Sequence, residues 1–278
     1  MAHLNMRFPG GKAKCLTLSY DDGVINDIRL LKLMNSKGLK GTLNLNSGCY
    51  NDREYDDYTT RHRTLTKEKA LELYRGCGQE IACHAVTHPS LEQLPSAACT
   101  YEILQDRINH ERDYGGIIRG FAYPFGTYND DVKAALKACG IAYARTVWSS
   151  HNFDIPKDWL ELRPTCHHGE KEFGELTDRF LNENPWGAPW LFYLWGHSYE
   201  FDFNNNWELI ENFADRVSGR DDIWFATNIE VYDYVESFKL LKFNAEMTVV
   251  QNPTTMRFWF SFNRNMYEIG PGEELKRG

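Results

Sequence analysis

The chain has 278 residues, 42% hydrophobic, 14% aromatic and 25% charged, with a formal net charge of −8 at pH 7. That length supplies a sizeable core for one large α/β domain or two small ones, and an acidic balance without a basic stripe excludes a nucleic-acid backbone as the main partner. No segment approaches the roughly 20 apolar residues that span a bilayer, and residues 1–9 carry no signal-like apolar stretch, so a cytoplasmic protein without a membrane span is expected.

Strand-like and helix-like segments then alternate. Residues 14–19 read as a strand, 24–37 as a helix, 41–45 as a strand, 66–75 as a helix and 80–84 as a strand. Residues 95–114 carry apolar positions at helical spacing, 120–123 run as a strand into a turn, and 130–139 are helical. Segments 143–147, 160–164, 191–194 and 222–226 read as further strands. Strands separated by helices imply right-handed crossovers and a mainly parallel sheet, and this many units suit a closed or nearly closed barrel. Such a barrel carries its chemistry at the C-terminal ends of its strands. The polar excursion 48–63 is expected to form a rim or lid there. After residue 238 the pattern changes: 246–250 and 256–262, joined by Asn252-Pro253-Thr254-Thr255, resemble a β-hairpin, with 266–269 as a third strand. The expected division is therefore a barrel over 1–238 and a small C-terminal β appendage over 239–278. The seven cysteines are scattered without a CxxC pair, which favours reduced thiols over a disulfide frame or a cysteine zinc site.

Four strand ends carry chemistry. The run Leu16-Thr17-Leu18-Ser19-Tyr20 ends on Asp21, Asp22 and a glycine. Neighbours on a strand face opposite ways, but a bend at the last residue brings both carboxylates within reach of one pocket. The segment ending in His84 and His88 offers two imidazoles four residues apart, and two histidines plus one carboxylate make a three-ligand site with room for water and substrate. Tyr123-Pro124-Phe125-Gly126 is a turn in which proline fixes φ and glycine allows a tight bend, a setting that can point the Phe125 amide into a pocket as an oxyanion donor. Leu191-Phe192-Tyr193-Leu194-Trp195-Gly196 closes on His197, a candidate general acid, since the other strand ends lack a proton donor.

Ser19-Tyr20-Asp21-Asp22-Gly23, His84-Ala85-Val86-Thr87-His88, the turn 121–126 and the late strand closing on His197 resemble, in order and spacing, the motifs of the polysaccharide deacetylase family, carbohydrate esterase family 4, over about residues 12–235. The resemblance implies a distorted (β/α)7 barrel. It assigns Asp22, His84 and His88 to a divalent metal, zinc first with cobalt, nickel or manganese as alternatives, Asp21 to the general base and His197 to the general acid. It also implies removal of acetyl groups from an N- or O-acetylated saccharide, and Tyr123, Pro124, His167 and Trp195 are assigned to substrate binding, with His168 beside them.

The chain departs from the family pattern at two positions. Ala85 stands where the family has Ser or Thr, and Ala122 where many members place an arginine that steadies the catalytic carboxylate. Arg145, at another strand end and always charged, is the expected replacement. Asp158-Trp159 matches the family's Asp-Trp pair only superficially, between a loop and a strand. Two other readings compete: a non-catalytic carbohydrate-binding protein on the same scaffold, and a hydrolase of a non-sugar linear amide. Sequence leaves the oligomeric state open.

Overall fold

The computed structural model describes residues 3–51 and 62–277. After a short first strand, β1 (Leu4–Arg7), the chain enters β2 (Lys14–Asp21), whose eight residues are all buried. A central parallel strand has no solvent face, which accounts for the apolar run that reads without alternation. Helix α1 (Asp27–Ser36) then leads to β3 (Gly41–Leu45), α2 (Lys67–Tyr74) to β4 (Glu80–Cys83), α3 (Ser96–Tyr114) to β5 (Gly120–Ala122) and α4 (Asp130–Ala138) to β6 (Tyr143–Arg145). The two-residue strand β7 (Cys166–His167), α5 (Phe173–Asn182), β8 (Trp190–Gly196), α6 (Tyr199–Phe203), α7 (Glu208–Val217), β9 (Ile223–Phe225) and α8 (Asn228–Phe238) complete the barrel portion. Helix starts follow local chemistry: Asn129 caps α4 by accepting from Val132 N, and Thr227 with Glu230 forms a capping box on α8.

The parallel sheet runs β6-β5-β4-β3-β2-β8-β7, and β9 pairs with Lys14–Leu16 of β2, just before the stretch Leu18–Asp21 that pairs with β3. This is a distorted (β/α)7 barrel, curled and not closed by a continuous ladder. Across the gap, Leu162 makes an isolated bridge to Arg145, and Thr165 N donates to Tyr193 O. The strand expected at 160–164 is instead a 3-10 turn, Trp159–Glu161, with that single bridge after it; Pro164 has no N–H with which to extend a ladder.

Five short strands follow: β10 (Lys242–Phe243), β11 (Val249–Gln251), β12 (Phe258–Phe262), β13 (Asn265–Ile269) and β14 (Glu274–Lys276). With β1 they form two three-stranded sheets, β1-β12-β13 and β10-β11-β14. The expected hairpin between 246–250 and 256–262 is therefore corrected: β11 pairs with β10 and β14, and the hairpin is β12–β13. Asn252 explains the difference. Its Nδ2 donates to Met256 O and Gly270 O while Oδ1 accepts from Thr254 N, a side-chain-built turn that carries the chain from one sheet to the other. Phe8, Tyr234, Phe258 and Phe260 share one apolar cluster, and Tyr234 OH donates to Arg7 O, so α8 joins these sheets to the barrel. No helix among the described residues is long and apolar enough to cross a membrane, and the seven cysteines are free thiols.

Candidate metal centre and active site

The two adjacent carboxylates converge because the backbone turns at the second. Asp22 takes a left-handed φ of 81° and donates its N–H to Asn44 O (3.0 Å), so its side chain swings to the same side as that of Asp21. Ala85 (65°), His88 (57°) and Phe125 (58°) are left-handed too. Non-glycine residues bear a cost of order 1–3 kcal/mol each in such conformations, and they collect where function holds them.

His84 follows β4. Its N–H donates to Leu45 O and to Asp106 Oδ2, and its Nδ1 lies 2.7 Å from Ala122 O. Since a carbonyl only accepts, Nδ1 carries the proton and Nε2 presents its lone pair. That Nε2 is 3.6 Å from Asp22 Oδ1, and His88 Nε2 is 3.9 Å from the same oxygen. All three donor atoms lie within 4.8 Å of one another. Donors about 2.1 Å from one cation in a tetrahedron stand roughly 3.4 Å apart, so the set fits a zinc-sized ion with little movement. The second oxygen of Asp22 is held by His62 Nε2 at 2.9 Å. Burial pushes the Asp22 carboxyl up, but the His62 hydrogen bond and the neighbouring His84 and His197 imidazoles outweigh it and hold the group well below the usual carboxylate range. Burial, with His84 beside it, lowers His88 to about 4, leaving a neutral imidazole at neutral pH.

Asp21 is held differently. Asn44 Nδ2 donates to its Oδ1 at 2.7 Å, and Arg145 Nη2 donates to its Oδ2. Arg145 is 0% exposed, and its guanidinium lies 4.3 Å from the Trp195 ring. His197 Nε2 faces both acids, 4.0 Å from Asp21 Oδ2 and 3.9 Å from Asp22 Oδ2. Burial works against charge on His197, but Glu200, Asp21 and Asp22 lift its pKa to about 8, so the ring carries a proton at neutral pH.

Residues 9–144 match the family model described as polysaccharide deacetylase. That segment is a polysaccharide deacetylase domain. The fold of the chain is similar to that of a Mycobacterium smegmatis protein provisionally assigned as a polysaccharide deacetylase, at 16% identity and a TM-score of 0.57 over 85% of this chain and 94% of that one. It is also similar to a mutant, with restored enzymatic activity, of a family 4 pseudoenzyme from Bacillus anthracis, at 14% identity and a TM-score of 0.50 over 82% and 70%. A Streptococcus pyogenes deacetylase in complex with acetate matches at 21% identity with a TM-score of 0.41, over 47% of this chain and 55% of its own length. No curated protein matches the chain.

In this chain Asp21, Asp22, His84, His88, Arg145 and His197 meet at one point, and the Phe125 ring packs edge-on to His88 at 4.6 Å. Tyr123 requires a correction: it is fully buried and its hydroxyl donates to Leu160 O, so its side chain supports the turn and does not face a substrate. Pro124 is buried beside it. Phe125 (60%) and Trp148 (48%), in the loops after β5 and β6, are exposed aromatic rings. Trp195 lies under Arg145, and His167 is engaged with Glu200. Asp158 caps Leu160 N and pairs with Lys133, a structural use.

Two substitutions against the family pattern have visible compensation. Near Ala85, Asn46 Nδ2 donates to the carbonyls of His84 and Ala85, and Glu102 accepts from Thr87 N and Oγ1. Near Ala122, the guanidinium on Asp21 comes from Arg145. Asn44, Asn46, His62 and Glu200 were not singled out by sequence reasoning. The asparagines had a readable signal, since they interrupt the apolar strand β3 and its exit at alternate positions. Residues 52–61 of the expected 48–63 rim lie outside the described residues; 48–51 and His62 and Arg63 are its described ends.

Proposed function

We propose that this chain is a metal-dependent hydrolase that removes acetyl groups from an N-acetylated, or alternatively O-acetylated, saccharide. The observation that carries this reading is the presentation of the His84 and His88 Nε2 atoms to one oxygen of Asp22, beside a second carboxylate held by Arg145 and a histidine facing both acids. Asp22, His84 and His88 would hold the cation, with zinc the first candidate. When bound, such an ion polarises the acetyl carbonyl and acidifies a water.

The remaining steps belong to side chains. Asp21 takes a proton from the attacking water, oriented by Arg145 and Asn44 through its two oxygens. The Phe125 amide offers a hydrogen bond to the oxyanion that develops on the acetyl carbon. His197 gives its Nε2 proton to the leaving nitrogen or oxygen as the bond to the acetyl carbon breaks and its electron pair departs with the leaving group. Acetate and the deacetylated sugar balance the water consumed. Exposed Phe125 and Trp148 supply flat faces on which a pyranose ring can rest.

The test is acetate release from N-acetylated and O-acetylated oligosaccharides by protein stripped with a chelator and reloaded with zinc, cobalt, nickel or manganese. Activity should disappear on stripping, return with a metal, and fall at least about a hundredfold in Asp21→Asn with metal still bound. Sugar binding without acetate release under every metal would favour the carbohydrate-binding reading. Release from linear amides alone would remove the saccharide from the assignment.

A further inference from the structure

A second cluster lies behind His197. Glu200, on the first turn of α6, receives His167 Nε2 at 2.9 Å and His168 Nε2 at 3.0 Å on the same oxygen, Oε2, which also faces His197 N at 3.4 Å. Its other oxygen, Oε1, lies 3.4 Å from His197 Nδ1, an ion-pair contact short of hydrogen-bond geometry, and that buried nitrogen has no hydrogen-bond partner. Three imidazoles around one carboxylate could equally be read as a second cation site, since the donor atoms of His167, His197 and Glu200 lie within 4.8 Å of one another.

Proton positions decide between the two. Gly169 N donates to His167 Nδ1 at 3.0 Å, so that nitrogen must offer its lone pair and the proton sits on Nε2, pointing at Glu200. An imidazole arranged this way has no Nε2 lone pair for a metal. His168 is set to match: its Nδ1 is 3.3 Å from Tyr20 OH, its ring is buried against Phe201 at 4.2 Å, and Nε2 is on Glu200. The backbone makes room for this, since a Cβ on Gly196 would stand 2.1 Å from His168 Nδ1. His167 and His168 thus hold one face of the carboxylate, and its free oxygen can do little except meet His197.

We propose that Glu200, clamped by the Nε2 protons of His167 and His168, is the positioning residue of His197: it fixes the Nδ1 proton inward and aims Nε2 at the leaving group. This rests on the assignment of His197 as the proton donor in the proposed deacetylation. Glu200 neither loses nor gains a proton in the step. The proton leaves His197 Nε2, and the electron pair of the broken bond leaves with the departing atom.

Glu200→Gln is isosteric but uncharged, with one acceptor oxygen in place of two. The experiment compares wild type, Glu200→Gln and His167→Gln, all zinc-loaded, on an N-acetylated chitooligosaccharide and on 4-nitrophenyl acetate, whose leaving group departs without a proton. For Glu200→Gln, kcat on the sugar should fall about a hundredfold with KM within about twofold, while turnover of the nitrophenyl ester stays within about threefold. His167→Gln should lose in the same selective way, by roughly tenfold, and native mass spectrometry should find one zinc per chain in all three proteins. Equal losses on both substrates, no loss on the sugar, or two zinc ions in wild type with one in Glu200→Gln would overturn the positioning role. A wild type that releases acetate from neither substrate would overturn the hydrolase reading itself, whereas an active wild type with equal losses overturns this inference alone.

Discussion

Replacing Arg145 by methionine keeps much of the volume and removes the charge. Asp21 then stays buried with Asn44 as its remaining hydrogen-bond partner and His197 4.0 Å away, and breaking a buried pair from one side costs about 3–5 kcal/mol. The guanidinium face on Trp195, 4.3 Å away, adds about 1 kcal/mol to the loss. Asp21→Asn strands the guanidinium instead and should cost a similar amount, whereas the double variant buries neither charge and should be destabilised by only about 1–2 kcal/mol. The cycle therefore predicts a coupling of at least about 3 kcal/mol, far above the roughly 0.5 kcal/mol within which independent sites add. Urea unfolding of the four proteins at one pH, stripped of metal, measures it. Additive losses would show that Arg145 packs beside Asp21 without holding it, and the placement of the arginine function at this position would fall.

A second prediction concerns the other end of the barrel, where Glu80 accepts from Thr42 Oγ1, Tyr143 OH and Ile229 N yet is pushed by burial to about 7. Its folded pKa exceeds its unfolded one, so the folded state binds more protons between about pH 4.5 and 7 and stability falls as pH rises through that window, by up to about 3 kcal/mol. Asp27, likewise raised by burial to about 7, contributes with the same sign. Glu80→Gln should therefore flatten the fall without abolishing it, and an unchanged slope in urea midpoints from pH 4.5 to 8 would contradict the argument. His62→Ala leaves the second oxygen of Asp22 unheld, and zinc affinity, read by competition with a chelator, should drop about tenfold; an unchanged affinity would show that His62 does not orient the carboxylate.

The barrel was readable because its signals are redundant. Strand β3 was legible from 41–45 alone, and β2, β4 and β5 each run into a turn carrying Asp, His or Pro. What sequence missed depends on partners remote in the chain or on very short pairings. Cys166–His167 is too short to show a period, and the hairpin was misplaced because Asn252 spends its side chain on two distant carbonyls. Arg145 could be picked out as a charged residue at a strand end, but its contact with Asp21, 124 positions away, is a product of the fold. Glu200 was hidden for the opposite reason: as an acid three residues after His197 on a new helix, it reads like any first-turn carboxylate that favours a helix dipole.

Strand β1 pairs with β12, so Leu4–Arg7 wait for Trp259–Phe262. On the ribosome those partners are separated by about 250 residues, which at 5–20 residues per second is a delay on the order of 10–50 s. During that interval the barrel can assemble vectorially, each crossover adding its strand to the growing sheet, while β1 has no ladder to join. Completion of these outer sheets then comes after the barrel has formed, and a ribosome stalled before residue 258 would hold a nascent chain with a nearly finished candidate site and an unpaired leading strand open to pairing with another chain.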